Sequence, residues 1–266
     1  MNAWLLGYVA LGAFAGFFAG LLGVGGGAIM VPVLAMMFAA QGFPEAHLMH
    51  LALGTSMATI VFTSISSFRA HHKHGAVIWP IVSAIAPGIV VGTLAAAQVA
   101  ARVPTRPLAI FFVVFISYVA VQMVLNIKPK PSRQLPGGVG MFGVGAVIGG
   151  ISALVAIGGG SLSVPFMTWC NVKMHQAIGT SAAIGFPIAL AGTAGYMISG
   201  YTATGLPAGS FGFIYLPALT ATVIASMLMA PLGAKTAHSL PVATIKKVFA
   251  GVLVLLSAKM LYGLFF

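Results

Sequence analysis

Acidic residues are almost missing from this sequence. Its 266 residues include one acid, Glu45, against 12 lysines and arginines, and only 5% of the chain is charged. A soluble domain carries about 25% charged residues, whereas 60% of this chain is hydrophobic. Several apolar runs reach the length of about 18 residues that crosses a bilayer as a helix. Composition therefore predicts an all-α polytopic membrane protein.

Cysteine is nearly absent as well. The single Cys170 excludes an intrachain disulfide and a cysteine-ligated metal cluster. The histidine-rich stretch RAHHKHG at 69–75 lacks a nearby cysteine or acid, so we interpret it as a solvated cytoplasmic loop. We therefore expect no metal and no cofactor. Arg69 closes an apolar segment and is a candidate to meet an anion at the cytoplasmic mouth.

The formal net charge of +11 bears on the class of ligand. The basic residues lie mostly at the ends of apolar segments, which is the positive-inside pattern of a membrane protein rather than a nucleic-acid-binding surface. A membrane protein with one carboxylate is poorly equipped to bind a cation. The expected partners are therefore the lipid bilayer and a small anionic substrate, and no nucleic acid.

The chain contains an internal repeat. GLLGVGGGAIMVPVL (20–34) aligns with ALVAIGGGSLSVPFM (153–167), and HLALGTSMA (50–58) aligns with HQAIGTSAA (175–183). Two motifs repeated in the same order are a strong signal of duplication. The sequence predicts two transmembrane repeats, residues 1–127 and 137–266, joined by a basic, proline-containing linker at 128–136.

Each repeat contains five apolar segments, and the second segment is short in both. The sequence leaves open whether the short segment crosses the bilayer or is re-entrant. The predicted helices are 3–22, 26–40, 47–69, 76–101 and 104–127 in the first repeat, and 138–157, 160–171, 174–198, 209–235 and 241–265 in the second.

The distribution of basic residues predicts how the repeats are oriented. If the first two segments form a hairpin, each repeat crosses an odd number of times and the repeats are inverted. Nine basic residues then share one side and two lie opposite, whereas parallel repeats give five against six, so the positive-inside rule favours inversion. We expect an inner-membrane protein with both termini periplasmic. The nine are Arg69, Lys73, Lys128, Lys130, Arg133, Lys173, Lys235, Lys246 and Lys247; the two are Arg102 and Arg106.

The two GGG stretches are the predicted substrate site. Inverted repeats with broken helices are typical of secondary transporters, which bind substrate near the midplane between the halves. The helix that follows each GGG presents unpaired amides and a positive dipole end, which suits an anion. Glycine-rich stretches also serve close helix packing, and hydroxyls also bond carbonyls of their own helix. The predicted binding residues are Gly25, Gly26, Gly27, Ala28, Thr55, Ser56, Gly158, Gly159, Gly160, Ser161, Thr180 and Ser181.

Two histidines are candidates for ion coupling. His50 and His175 each precede a Gly-Thr-Ser motif by one helical turn, and a buried histidine can carry a proton. The alternative is an interfacial histidine without a transport role. A proton is therefore the expected coupling ion, while the oligomeric state stays open, with a homodimer as one option.

The repeated motifs resemble the TauE/SafE (TSUP) family of sulfite and organosulfonate permeases. The resemblance rests on GLLGVGGGAIMVPVL, ALGTSMAT, ALVAIGGGSLSVPFM and AIGTSAA, and it covers nearly the whole chain. It implies a transporter of sulfite, sulfonates, sulfoacetate or related anions across the inner membrane, and not an enzyme. It does not indicate which anion is carried, or in which direction.

Three other functions are compatible with the sequence. One is an intramembrane serine hydrolase that uses Ser161 with His175 or His238, although no nucleophile-elbow spacing supports it. Another is a passive channel for a small neutral or cationic species, with His50 and His175 lining the pore. The third is a structural subunit of a larger membrane complex.

Overall fold

Ten α helices dominate the part of the chain that the structure, a computed structural model, describes: residues 3–23, 25–125, 132–237 and 242–265. Seven of these helices are long and apolar enough to cross a membrane, which confirms the all-α polytopic prediction. The helices are α1 (Ala3–Leu22), α2 (Gly27–Ala40), α3 (Leu48–Lys73), α4 (Trp79–Ala100), α5 (Thr105–Val124), α6 (Gly138–Val155), α7 (Gly160–Trp169), α8 (Met174–Gly200), α9 (Leu216–Ala237) and α10 (Val242–Phe265).

Two helix boundaries differ from the predictions by four residues or more, and the other boundaries differ by three at most. Helix α3 was expected to end at 69 but continues to Lys73, because the side chain of His71 is buried and bonded rather than solvated. Helix α9 was expected from 209 but begins at Leu216. A two-stranded hairpin, β1 (Ser210–Phe211) and β2 (Ile214–Tyr215), occupies the preceding residues. Part of the predicted linker, 128–131, lies outside the described residues.

Helices α1 and α2 form an antiparallel hairpin. The end of α2 returns to the beginning of α1, since the Tyr8 hydroxyl lies 2.6 Å from Gln41 Nε2 and the rings of Tyr8 and Phe38 are 6.4 Å apart. With 14 residues, α2 rises about 21 Å. This is too short for a hydrocarbon core of about 30 Å. Helix α2 thus turns back towards the side where α1 begins without the length of a full span.

The second repeat forms the same hairpin from α6 and α7. The carbonyl of Trp169, at the end of α7, accepts the backbone amides of Ser132 and Arg133, which immediately precede α6. The indole of Trp169 also donates to Ser132 Oγ at 2.8 Å, and the Arg133 guanidinium lies 5.1 Å from its ring centroid. At 10 residues, α7 spans only about 15 Å.

Each hairpin packs against the other repeat. Helix α1 lies along α9, and α6 lies along α4, with glycines of one helix against the backbone of its neighbour. Small residues at four-residue spacing allow membrane helices to approach this closely. The paired positions are Gly12 with Thr222, Gly16 with Ser226, Gly20 with Ala230, Gly145 with Ile85, and Gly149 with Ile89.

Helices α3 and α8 form the centre of the molecule and run antiparallel. The ring centroids of Phe68, near the end of α3, and Phe186 in α8 are 6.3 Å apart. Met57, nearer the start of α3, lies against Gly192. These helices occupy equivalent places in the two repeats, each after a hairpin that returns to the side where it began. The two repeats are therefore inverted relative to one another.

Candidate functional site between the triglycine turns

The first triglycine turn (Gly25–Gly27) and the second (Gly158–Gly160) meet at the tips of the two hairpins. A Cβ atom placed on Gly25 would lie 2.8 Å from the Cα of Gly158 and 2.9 Å from its nitrogen, so only glycine fits there. Gly26 and Gly159, which precede α2 and α7, adopt left-handed φ values of 77° and 81°. Glycine reaches this conformation without steric cost, so these residues allow the turns to form and to touch.

Two helix N-termini begin at this contact. In α2 the amides of Ile29 and Met30 both donate to the carbonyl of Gly26, and the equivalent pair in α7 donates to Gly159. The amides of the first two residues of each helix have no acceptor within the helix. In α2 these residues are Gly27 and Ala28. The two helices thus direct unpaired N–H groups and their positive dipole ends towards the meeting point, an arrangement that favours anions.

A cavity of about 10 Å³ lies between the turns. This volume accommodates roughly one water molecule, so a bound oxyanion would require the surrounding helices to move apart. Larger grooves of about 570 and 440 Å³ lie on the faces of α1, but their walls are almost entirely apolar. The small cavity is lined by Ala19, Gly23, Gly25, Thr63, Ser64, Ser67, Gly158, Ala182 and Gly185.

The chain is similar to known membrane transporters along nearly its whole length. The family model for the sulfite exporter TauE/SafE matches residues 8–260. The chain belongs to the TauE/SafE family. A probable membrane transporter protein of Haemophilus influenzae is 37% identical over 98% of this chain and 99% of its own length. The probable membrane transporter protein YunE of Bacillus subtilis is 26% identical over 97% of both chains. No solved structure matches.

The Gly-Thr-Ser motifs of this TauE/SafE member hold loops of the opposite repeat. Thr55 Oγ1 accepts the amide of Tyr215 at 3.0 Å, and Thr180 Oγ1 accepts the amide of Ile78 at 2.9 Å. The glycine before each threonine allows the same loop to approach, so that a Cβ on Gly179 would lie 2.6 Å from the Ala76 carbonyl oxygen. Both threonines are fully buried and neither lines the cavity. Their positions explain the motif as a contact between repeats.

The serines near the triglycine turns differ in whether their hydroxyls are hydrogen-bonded. Ser163 Oγ donates to Ser181 Oγ at 3.0 Å, and Ser181 Oγ donates to the carbonyl of Gly23 at 3.1 Å. This chain of hydroxyls ties α7 and α8 to the first triglycine turn. Ser56 and Ser161 are also buried, but their hydroxyls have no hydrogen-bond partner within the described residues. Ser161 lies in the first turn of α7, and neither serine lines the small cavity.

Three lining residues, Thr63, Ser64 and Ser67, were not predicted from the sequence. They lie on one face of α3, outside the repeated motifs, and are 1–3% exposed. The sequence signal that could have indicated them is the spacing of these hydroxyl residues, three and four positions apart in an apolar helix. Whether that face meets a cavity or another helix depends on tertiary packing.

The two predicted coupling histidines differ in environment. His50 is buried, and its Nε2 lies 3.2 and 3.1 Å from the carbonyl oxygens of Ala100 and Val103, so this nitrogen carries the proton. His175 is exposed in the first turn of α8. His175 is thus not enclosed by the protein, because α8 begins only one residue before it, and the coupling role of the two histidines stays a prediction.

The stretch interpreted as a solvated loop, 69–75, also differs from expectation. His71 is 1% exposed, and its Nε2 donates to the Gly20 carbonyl at 3.0 Å, close to the first triglycine turn. Arg69 is exposed, as a residue at a pore mouth would be. Of the histidines considered for a hydrolase, none among the described residues bonds Ser161, and His238 lies outside those residues.

Proposed function

We propose that this TauE/SafE member is a secondary transporter of a small sulfur-containing oxyanion, either sulfite or a short organosulfonate such as a C2 sulfonate. Transport is ion-coupled and crosses the inner membrane. The observation that carries the proposal is the contact between Gly25 and Gly158, which brings two helix N-termini from inverted repeats to one point. The family description as a sulfite exporter supports the class of substrate.

Charge at the meeting point favours an anion over a cation. The residues that line the cavity include no carboxylate, and Glu45 is exposed in a short helical turn before α3. A cation would have to rely on neutral carbonyl and hydroxyl oxygens. An oxyanion, by contrast, could take hydrogen bonds from the unpaired amides of α2 and α7, which offer donors to several oxygens at once.

The small volume of the cavity supports alternating access. A site with room for about one water molecule is too small for an oxyanion, so substrate must be admitted by a relative movement of the repeats. Each hairpin packs against the long helices of the other repeat, and rocking of one repeat against the other is the usual motion in transporters built from inverted repeats. The arrangement with the narrow cavity is thus one state of the cycle.

The positions of the basic residues indicate how the protein is oriented in the membrane. With the repeats inverted, Arg69, Lys73, Lys173 and Lys235 lie at ends of helices on one side of the molecule, which the positive-inside rule assigns to the cytoplasm. Both termini are then periplasmic. Accessibility tags fused to each terminus should react from outside intact spheroplasts. A cytoplasmic signal from either terminus would contradict this orientation.

The transport function can be tested with purified protein in liposomes. Radiolabelled sulfite and ethanesulfonate should show saturable uptake that depends on an imposed ion gradient, and empty liposomes are the control. Sulfate, thiosulfate and acetate serve as competitors that define the anion class. Non-saturable flux of a neutral or cationic solute, without uptake of either labelled anion, would instead establish a channel.

A further inference from the structure

The side-chain hydroxyls that line the cavity all belong to one helix. Thr63, Ser64 and Ser67 of α3 contribute them. The cavity is also lined by Ala19, Ala182 and Gly185, none of which has a polar side chain. Because the repeats are inverted, equivalent positions of α8 could have supplied a matching set. The positions aligned with the three α3 residues are Ile188, Ala189 and Gly192.

Hydrogen bonding distinguishes the three hydroxyls. Thr63 Oγ1 donates to the Thr59 carbonyl at 3.0 Å and lies 2.7 Å from Ser226 Oγ. Ser64 Oγ donates to the Val61 carbonyl at 2.9 Å. Ser67 Oγ is buried without a partner among the residues that the structure describes. A buried hydroxyl left unpaired is costly, so Ser67 is the group at this cavity that gains most from a ligand.

We infer that Ser67 determines specificity by donating to the oxygens of the substrate. The inference rests on the proposed function. The anion lies with its oxygens towards α3 and the turn amides, and with its opposite side against Ala182 and Gly185. That side offers space but no side-chain donor, so it suits a methyl or methylene group. The site therefore prefers a short alkanesulfonate over sulfate, which has oxygens on all sides.

The first experiment removes the hydroxyl. Ethanesulfonate binding by purified Ser67→Ala is measured by titration calorimetry and compared with the wild type. The control is Ser66→Ala, because the Ser66 hydroxyl bonds the Met227 carbonyl and is outside the cavity lining. Loss of a hydrogen bond to a charged oxygen should weaken binding roughly tenfold to a hundredfold, while Ser66→Ala binds as the wild type does.

The second experiment narrows the apolar wall. A Cβ on Gly185 would lie 3.1 Å from the Gly158 carbonyl oxygen and 3.7 Å or more from other atoms, so Gly185→Ala fits with a small shift. It should weaken ethanesulfonate binding at least several-fold more than sulfite binding. Equal losses for the two anions would show that the organic group does not face α8.

The outcomes separate this inference from the proposed function. If the wild type binds and transports ethanesulfonate but Ser67→Ala has unchanged affinity, the hydroxyl contacts only water and the inference is overturned while the transport function stands. If the wild type neither binds nor transports any of these anions, both fall. Should Ser67→Ala not yield monodisperse protein, Ser67→Cys retains a weak donor of similar size, and an intermediate loss of affinity is expected.

Discussion

The two repeats share their backbone geometry but differ in where they place hydroxyl groups. Both have a left-handed glycine before the short helix and a threonine that accepts an amide from the other repeat. The polar face of α3, however, has no counterpart in α8. Conversely, α7 carries Ser161 and Ser163 where α2 has Ala28 and Met30.

This difference separates what the architecture needs from what the ligand needs. A pair of re-entrant hairpins requires glycines at both tips, whatever is transported, because backbone must contact backbone there. A ligand that is not two-fold symmetric does not require symmetric side chains. The asymmetric hydroxyls are therefore the better candidates for specificity, and variants that exchange features between the repeats test this distinction.

Blocking a triglycine turn should have the largest effect. A Cβ on Gly27 would overlap the carbonyl oxygen of Ala156, so Gly27→Val must push the two hairpins apart, and transport should be abolished. Gly160→Val should do the same if the repeats are equivalent. Gly143→Val is the control, since a Cβ at that position meets no atom within 4 Å. Anion uptake and affinity are measured, and size-exclusion profiles show whether each variant is folded. If folded Gly27→Val and Gly160→Val proteins bind the anion with wild-type affinity, the binding site lies elsewhere.

Removing the hydroxyl of α7 should have the next largest effect. Ser161 is buried and has no partner within the described part of the chain, so Ser161→Ala should weaken anion binding roughly tenfold to a hundredfold, as expected for a hydrogen bond to a charged group. Ala28→Ser adds the same hydroxyl to the first repeat. It should not restore binding when combined with Ser161→Ala, unless the substrate can bind in either orientation. Calorimetry on the two variants and their combination decides this.

The threonines provide the symmetric case. Thr55→Val and Thr180→Val each remove the acceptor of an amide in the opposite repeat, which should destabilise the protein by about 1–3 kcal/mol with little change in anion affinity. Thermal unfolding should show the same loss of stability in the two variants. A large loss of affinity without loss of stability in either variant would return that threonine to the binding site.

The turn after each long hairpin helix offers a smaller test. Ala156 has a φ of 45°, and the aligned Gly23 has a φ of 66°. Alanine is disfavoured in this region, so Ala156→Gly should stabilise the fold by about 0.5–1 kcal/mol after the entropic cost of glycine. Gly23→Ala should destabilise it, because its Cβ would also lie 2.6 Å from the Ile178 carbonyl oxygen. Unfolding temperatures with the signs reversed would contradict this account of the turns.

The smallest expected effect concerns protons. His50→Gln keeps a donor for the carbonyls of Ala100 and Val103 but cannot titrate, so it should flatten the pH dependence of transport. The exposed His175 should be replaceable by glutamine without that change. Uptake is measured between about pH 5.5 and 7.5, one unit either side of the ordinary histidine pKa. An unaltered profile in both variants and in the double variant would remove these histidines from the coupling mechanism.

Helices and candidate residues differed in how well the sequence predicted them. Helices α1 and α6 begin at the predicted residues because long apolar runs and glycine breaks mark them locally. The end of α3 was missed because it depends on a bond from His71 to Gly20, 51 residues away in the chain. Thr63 and Ser67 were missed because their place at the cavity also depends on contacts between distant parts of the chain. Nothing local to α3 shows that this face meets the hairpin tips.

The sequence by itself determined the membrane class, the duplication and the positions of the breaks, because hydropathy, repeated motifs and glycine are properties of the chain. Only the tertiary structure decided which groups reach the cavity. Thr55 and Thr180 were expected there but bond loop amides, whereas Ser67 lines it without a partner among the residues that the structure describes. The physical reason is that a hydroxyl bonds the nearest unsatisfied group, and the packing of the opposite repeat determines which group that is.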